Sequence, residues 1–465
     1  MFATIFKKEL LDQLISPKFL IVFLLCLVLI PSSLLMNYSS FKSNYLEYDA
    51  ARRISKETTT VYREPSILST FGIGLESVLP KIVSFDKYSR DMKGTQAQNE
   101  ILSNITGKID FIVIVSFLLG LFSILYASTL MSGEKESGTL KLVLSNQARR
   151  STFIWAKFLG SYIVLIIPLL ASFLIGLILL LLENFPLFSG ENFSRVLFLF
   201  LLSLLYLSTL FSLGLLISTR TQKTSVALLA GFLIWIFVTF VIPKISEPLA
   251  ALIHPVQSEE VMKRNRIQVQ NQIEKEKAKV LTPIREQFLN EKNTSSQKGW
   301  DWAGYVKARG PLAKDYEEKI GRTLQEFDAQ YEKEKNTALN LSLNIARLSP
   351  ASIFTHSGLD LCNTGVVDRE NFFRSLQTHY LQLFQAVLSK RFEDYYDFDE
   401  KGVAHSSHGG GGPGAYQTTY PEYRYQFLKL DATLSRTAPD LLLLVLYNLI
   451  FFAAAYFSFA RYDVR

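Results

Sequence analysis

Cysteine is almost absent from this chain: Cys26 lies inside the first apolar run and Cys362 in a distant polar stretch. Two thiols so placed exclude a disulfide framework, and no paired-cysteine zinc or redox motif is present. The Gly-x-x-x-x-Gly-Lys-[Ser/Thr] phosphate loop is missing, so the chain is not expected to bind ATP through a loop of its own. Neither His-Glu-x-x-His nor Gly-x-Ser-x-Gly occurs, which removes the common zinc hydrolase and serine hydrolase patterns. The apolar runs hold few ionisable residues, and that argues against a charged relay of the kind that proton-coupled carriers use.

What remains is hydrophobic to an unusual degree. Of 465 residues, 49% are hydrophobic, and they are gathered into runs rather than spread. This pattern describes a multi-span membrane protein. The formal charge of +7 sits largely beside the runs, where topology and anionic lipid headgroups account for it, so no nucleic-acid partner is expected.

The first run, residues 19–36, follows Lys7, Lys8 and Lys18. Phe2, Phe6, Leu10 and Leu14 recur every four residues before it, which predicts an interfacial helix over 1–18 leading into a retained span rather than a signal peptide. Further spans are predicted at 109–130, 153–182, 196–217, 224–242 and 441–459, each near the roughly 20 residues that a crossing needs. The third would measure about 45 Å if straight, so tilt, a kink at Pro168, or a first turn outside the hydrocarbon is expected.

Lys135, Lys141, Arg149, Arg150 and Lys157 between spans two and three, with Arg220 and Lys223 between four and five, put these connections on the cytoplasmic side. Both termini, including the tail 460–465, fall on that side. Residues 37–108 and the large segment 244–440 are then external.

In the large segment, helical stripes run over about Ser258 to Asn290, through Tyr316, Ile320, Leu324, Phe327, Tyr331 and Ile345, and through Phe373, Leu376, Tyr380 and Val387, with Pro311, Pro350 and Gly365 between them. The expected fold is therefore an all-α membrane protein of six spans with a mainly helical external domain. His405 and His408 form a His-x-x-His pair that could ligate a transition metal if a carboxylate or a third His converged on it, but beside four glycines the preferred reading is a solvated loop. Trp300 and Trp302 are read as packing a turn between the first two external helices. The small residues Ala227, Ala230 and Gly231 in the fifth span would let another helix approach closely, in a subunit interface or within the chain.

The most informative stretch is the connector over 131–152, which carries Gly133-Glu134-Lys135-Glu136-Ser137-Gly138-Thr139-Leu140. Together with Arg150 and Trp155-Ala156-Lys157-Phe158-Leu159-Gly160, it resembles the Glu-Lys-Glu-x-Gly-Thr-Leu motif of ABC-2 type permeases. The start, Phe6-Lys7-Lys8-Glu9-Leu10, is similar to that family's interfacial elbow helix, and the end, from Phe459 to Arg465, also matches. Leu348-Ser349-Pro350-Ala351-Ser352, Asn363-Thr364-Gly365 and Phe372-Phe373 resemble the subgroup with a large external domain between spans five and six. Ser145-Asn146-Gln147 departs from the family pattern, in which a small residue and Pro commonly follow the Ser.

The resemblance implies a non-catalytic subunit in a bacterial inner membrane, paired with a second copy or a paralogue. Two separate ATPase subunits would hold the ATP and Mg and act on Glu134, Lys135, Glu136, Ser137, Gly138, Thr139 and Leu140. Gly133 and Gly138 would permit turns around the charges, which would face a groove of the ATPase. Export of a substrate is the expected outcome. The alternative is mechanical work on an external protein partner with nothing crossing the membrane, and a membrane enzyme is the third class.

Overall fold

The computed structural model describes residues 2–54, 60–85, 92–95, 109–145, 149–294, 302–393, 423 and 425–462. His405, His408, Trp300, Asp301, Asn146, Gln147 and Arg465 lie outside them. The chain divides into two compact units: residues 1–246 with 344–375 and 424–465, and residues 247–343 with 376–423.

The first unit opens with α1 (Phe2–Leu14). Six helices long and apolar enough to cross a membrane follow among the described residues: α2 (Pro17–Arg53), α3 (Phe111–Glu136), α5 (Arg150–Leu182), α6 (Asn192–Arg220), α7 (Thr224–Ile253) and α12 (Leu430–Ala460). Between α3 and α5 lies the short α4 (Thr139–Ser145). The helix of the first span runs well past the predicted 36, because the polar stretch beyond it keeps helix-compatible residues and contains no Gly or Pro to stop it.

The core is built where α3, α5 and α6 pack, with Phe111, Ile124, Phe153, Tyr206, Leu210 and Phe211 all essentially solvent-free. Gly214 on α6 meets α3 so closely that a Cβ there would lie 2.4 Å from the Ile124 carbonyl oxygen. A backbone atom cannot yield as a side chain can. Gly214→Ala should therefore force the two helices apart and cost about 1–3 kcal/mol, the usual penalty of overpacking, measured as a lowered melting temperature of the detergent-solubilised protein; an unchanged melting temperature would refute the close-packing argument.

Two spans leave regular α-helix for a π-helical turn, α3 over Ile114–Leu119 and α7 over Phe237–Val241. Each turn displaces a carbonyl from the ordinary ladder, and each displaced carbonyl finds a side chain. The Tyr206 hydroxyl donates to Ser116 O at 2.9 Å, and the Ser349 hydroxyl donates to Val238 O. Ser349 is also the N-cap of α10 (Pro350–Leu361), its side chain accepting from the Ser352 N–H. Phe354 of α10 stacks on Tyr206 with centroids 4.6 Å apart. One short helix is thus bolted to both irregular turns.

α10 and the start of α11 (Val366–Glu393) belong to the first unit. The expectation that residues 244–440 form one separate domain is corrected accordingly: the Ser349–Gly365 stretch is rich in buried apolar and small residues that pack on α6 and α12.

The all-α expectation also needs a correction, since a small antiparallel sheet of β1 (Thr60–Tyr62), β2 (Ile82–Phe85) and β3 (Met92–Thr95) follows α2, with Val61 opposite Val83 and Val83 opposite Gly94. Strands of three and four residues are too short for alternation to be read in a sequence.

The second unit contains α8 (Glu259–Thr294) and α9 (Trp302–Ala346). Ile273, Ile320 and Leu324 form its apolar centre, flanked by Val269 and Tyr316. Ion pairs link the two helices on either side: Arg266 with Asp328, Lys277 with Glu317, and Lys319 with Glu276. Pro311 does not break the pattern as expected but lies inside α9, at an exposed position where water can take the carbonyl it frees.

Candidate coupling site

α3 loosens into turns at Thr129–Met131 before its last segment, Ser132–Glu136. The backbone N–H groups of Met131 and Ser132 both donate to the Ser218 hydroxyl of α6, at 2.8 and 2.9 Å. That contact fixes the height at which the charged residues emerge, and each of the three has a partner within the chain.

Glu134 reaches Lys157 of α5, with Oε1 2.6 Å from Nζ. Lys157 is also 2.9 Å from Glu9 of α1, and its side chain is only 6% exposed. Glu9 accepts further from Gln13 Nε2 at 2.7 Å and from the Ser161 hydroxyl at 3.0 Å. Burial works to raise the Glu9 carboxyl, but the adjacent lysine charge and these donors outweigh it, and the group is held below its ordinary range. A buried cation between two carboxylates therefore joins the elbow helix, the connector and the third span.

Lys135 takes a different partner set. Its Nζ donates to the carbonyls of Ser218, Thr219 and Thr221 at 3.3, 2.6 and 3.0 Å, capping the C-terminal end of α6, and it lies 4.9 Å from the Tyr462 ring centroid. A cation there meets the negative end of the helix dipole. Glu136 does the converse for α7: its Oε2 accepts the Thr224 N–H at 2.8 Å, at the positive end of that helix. Arg150 caps the last span by donating to the Phe459 and Ala460 carbonyls.

Glu134 and Lys135 are thus engaged by partners within the chain, while Glu136 stays exposed beside its Thr224 contact. Several helix ends converge on this level, and each leaves backbone groups that need a counter-charge. The following stretch faces water together with Glu136. Gly138 has φ +74°, the left-handed region, and turns the chain from α3 into α4. Gly133, by contrast, is an ordinary helical residue. Ser137, Gly138, Thr139, Lys141 and Leu142 are exposed, whereas Leu140 is buried and anchors α4.

On the elbow, Phe6 and Leu10 are half-buried, Glu9 is buried, and Lys7 and Lys8 are exposed. Gly160 lets α1 press onto α5, since a Cβ there would sit 3.2 Å from both Glu9 Cβ and the Phe6 carbonyl oxygen. In the fifth span, Ala227 is solvent-free and a Cβ on Gly231 would lie 2.7 Å from the Ser128 hydroxyl of α3. Both make close contacts within the chain, and Ala230 is half-buried beside them.

From sequence alone Lys157 is a topology charge and part of the motif resemblance, with no partner assigned to it. Its position inside an apolar run, where an ionisable group needs a partner, was the signal that could have marked it.

A second polar cluster forms at the other ends of the spans. Asp110 accepts the N–H groups of Ile73 and Val113 at 2.9 and 2.8 Å, tying the connection between β1 and β2 to the start of α3, and burial pushes its carboxyl up to about 6. Asp360 packs against Gly365, where even a Cβ would collide, and burial pushes it up to about 7. Arg63 pairs with Glu76 at 2.9 Å and Asp368 at 3.3 Å, and the Tyr425 hydroxyl donates to Asp368 at 2.6 Å.

A family model described as "ABC-2 family transporter protein" matches residues 3–464. A search of curated proteins finds no match.

Proposed function

The chain belongs to the ABC-2 family of transporter proteins, and from that membership we propose that it is the permease subunit of an ABC transporter, moved by separate ATPase subunits that hold the ATP and Mg. Two permease chains, identical or paralogous, would share two ATPases in a bacterial inner membrane, with both termini cytoplasmic. The observation that carries this reading is the way one connector grips the helix ends around it. Glu134, Lys135 and Glu136 tie it to α5, α6, α7 and, through Lys157, to α1. A push on the exposed Ser137–Leu142 stretch would reach these helices together, as a rigid tilt rather than a local dent.

The ATPase would therefore meet Ser137, Gly138, Thr139, Lys141 and Leu142, with the three charged residues acting behind them as the transmission. Thr139→Cys should cross-link to a nucleotide-hydrolysing subunit in the reconstituted complex, since both native cysteines are buried. No cross-link in any nucleotide state would overturn the reading. Glu136→Ala should preserve membrane assembly, because its carboxylate is exposed and water can take the Thr224 N–H, yet lower transport-linked ATP hydrolysis.

A second outcome of the same movement is work on an external partner with nothing crossing the membrane. The length of α8 and α9, 36 and 45 residues, favours it, for the ion pairs along them make the hairpin a stiff lever. Export remains the primary reading. Movement of a reporter substrate into reconstituted vesicles supports export, and ATP-dependent motion of α8 and α9 without such movement supports the lever.

A further inference from the structure

The π-helical turn of α7 meets the N-terminus of α10 deep within the span. Trp235 and Thr239 stand eleven and fifteen residues past Thr224, where α7 begins. That places them about 17 to 22 Å along the helix axis, at or beyond the middle of a hydrocarbon layer about 30 Å thick. α10 reaches the same depth from the other side. Its C-terminal end is tied to Arg195, in the first turn of α6, through Leu361 O, and its N-cap Ser349 donates to Val238 O. It is a half-helix that stops inside the layer with its positive end against the turn.

Seven buried side-chain atoms lack a hydrogen-bond partner among the described residues, and three of them belong to this junction: Trp235 Nε1, Thr239 Oγ1 and Ser352 Oγ. The three residues are 8%, 6% and 4% exposed. A hydroxyl in a helix ordinarily turns back to the carbonyl four residues earlier, as Thr209 does to Leu205 O at 2.9 Å. Thr239 does not. All three groups can donate, the indole can do nothing else, and a donor left unmet at this depth is costly.

What these donors need is an acceptor, and the surrounding sequence selects its kind. α7 from Thr224 to Val241, α10, and α3 from Phe111 to Met131 contain no lysine or arginine. A full negative charge would have no counter-ion here, whereas a carbonyl oxygen requires only donors and the partial positive charge of the helix end. An aromatic strip runs beside them. Phe232 and Phe240 flank the Trp235 indole with centroids 6.0 and 5.4 Å away, and Phe117 of α3 is 5.0 Å from Phe240. Phe232, Phe237 and Phe240 are exposed, so an apolar chain can lie on them while a carbonyl reaches the donors.

We propose that Trp235, Thr239 and Ser352 form a binding site for a neutral amphiphile carrying an ester or amide carbonyl, and that such a molecule is the cargo. The assignment as cargo rests on the permease reading; the binding site does not. A π-helical turn inside a span and a half-helix end at the same depth are both features that recur where membrane proteins hold ligands.

The probe is tritiated monoolein, compared with the chain-matched oleyl glyceryl ether, which lacks the carbonyl. The full-length chain in detergent should bind the ester on the order of ten-fold more tightly than the ether, as neutral hydrogen bonds to buried groups allow. Thr239→Val with Ser352→Ala should abolish that preference. Trp235→Phe, which keeps a ring and drops the N–H, should weaken the ester several-fold and leave the ether unchanged. Because the two hydroxyls have no acceptor in the free chain, the double variant should melt no lower than the native protein. A lower melting temperature would show that they bond within the chain and would overturn the site. Equal binding of ester and ether by the native chain overturns it as well, as does a preference that survives in the double variant.

In vesicles with the ATPase present, monoolein should stimulate hydrolysis several-fold, and the double variant should not respond. Carbonyl-selective binding without stimulation, in a complex that does hydrolyse ATP, overturns the assignment as cargo and marks a resident lipid. Failure of any ATPase to associate, with selective binding intact, removes the permease reading and leaves the binding site.

Discussion

Lys157→Met should be the most damaging single substitution in the molecule, costing about 3–5 kcal/mol, because it leaves two carboxylates buried side by side with no cation between them. The side chains of Glu9 and Lys157 are only 10% and 6% exposed, so water cannot take over the lysine's role. Among the described residues Glu134 has no second partner to turn to, since its Oε2 is buried without a hydrogen bond.

The same logic predicts the rescue. Glu9→Gln and Glu134→Gln combined with Lys157→Met should recover most of the loss, as neutral groups of similar shape do not carry the desolvation penalty. Melting temperatures of the purified variants would decide it; a triple variant no better than the single one would mean that packing, not charge, holds this corner together.

Acidity separates the two explanations further. In the native chain the Glu9 carboxyl is held below its ordinary range, so its contribution is present above the unfolded pKa and is lost as pH falls through the lower folded value. Without Lys157, burial, the largest influence on this carboxyl, is opposed only by the Gln13 and Ser161 hydrogen bonds, and the carboxyl moves up. The sign then reverses, and mild acidification should stabilise Lys157→Met while leaving the native protein unchanged or weaker.

The spans were legible because hydropathy acts over some twenty residues and no other force competes with it in a bilayer. The predicted run at 196–217 is observed within Asn192–Arg220, and that at 224–242 within Thr224–Ile253. What could not be read was whatever depends on partners distant in sequence. Lys157 meets Glu9 and Glu134, both earlier in the chain and the nearer of them 23 positions away, and although its place inside an apolar run marks it, nothing local names its partners.

α10 was hidden for a different reason. At 12 residues it is too short to register as a span, and the segment before it is polar, so it was assigned to the external domain although it packs in the first unit. The charged motif itself was found, but charge in a short connector looks solvated until the helix ends around it are known. Counting those ends would have helped: besides the end of span two that carries the motif, spans three to five have three termini at this connector level, each with unpaired backbone groups.

The second large effect is expected at the opposite ends of the spans, at Arg195. It lies in the first turn of α6 and is 3% exposed. One nitrogen of its guanidinium donates to Leu361 O at 3.1 Å and Asn363 Oδ1 at 3.0 Å, and the other to Glu191 Oε2 at 3.3 Å and to the Leu428 carbonyl. A single side chain thereby holds the end of α10, the Asn363 turn with its φ of +55°, and the approach to α12. Arg195→Ala strands these acceptors and should cost about 3 kcal/mol, in line with the loss of charge-assisted bonds to buried groups.

Lysine cannot replace the fork, since one ammonium cannot point in both directions, so Arg195→Lys should recover only part of the loss. Cys362 supplies a local readout. It is 2% exposed, its carbonyl is held by the Ser66 hydroxyl, and burial pushes its thiol up, so it should react with maleimide only when this corner opens. Lowering the opening cost by about 3 kcal/mol should speed labelling on the order of a hundred-fold in Arg195→Ala, with Arg195→Lys between it and the native protein. If Cys362 labels at the native rate in Arg195→Ala, the bonds seen at Arg195 do not hold α10 in place, and α10 must be retained by its stacking on Tyr206 and its Ser349 cap alone.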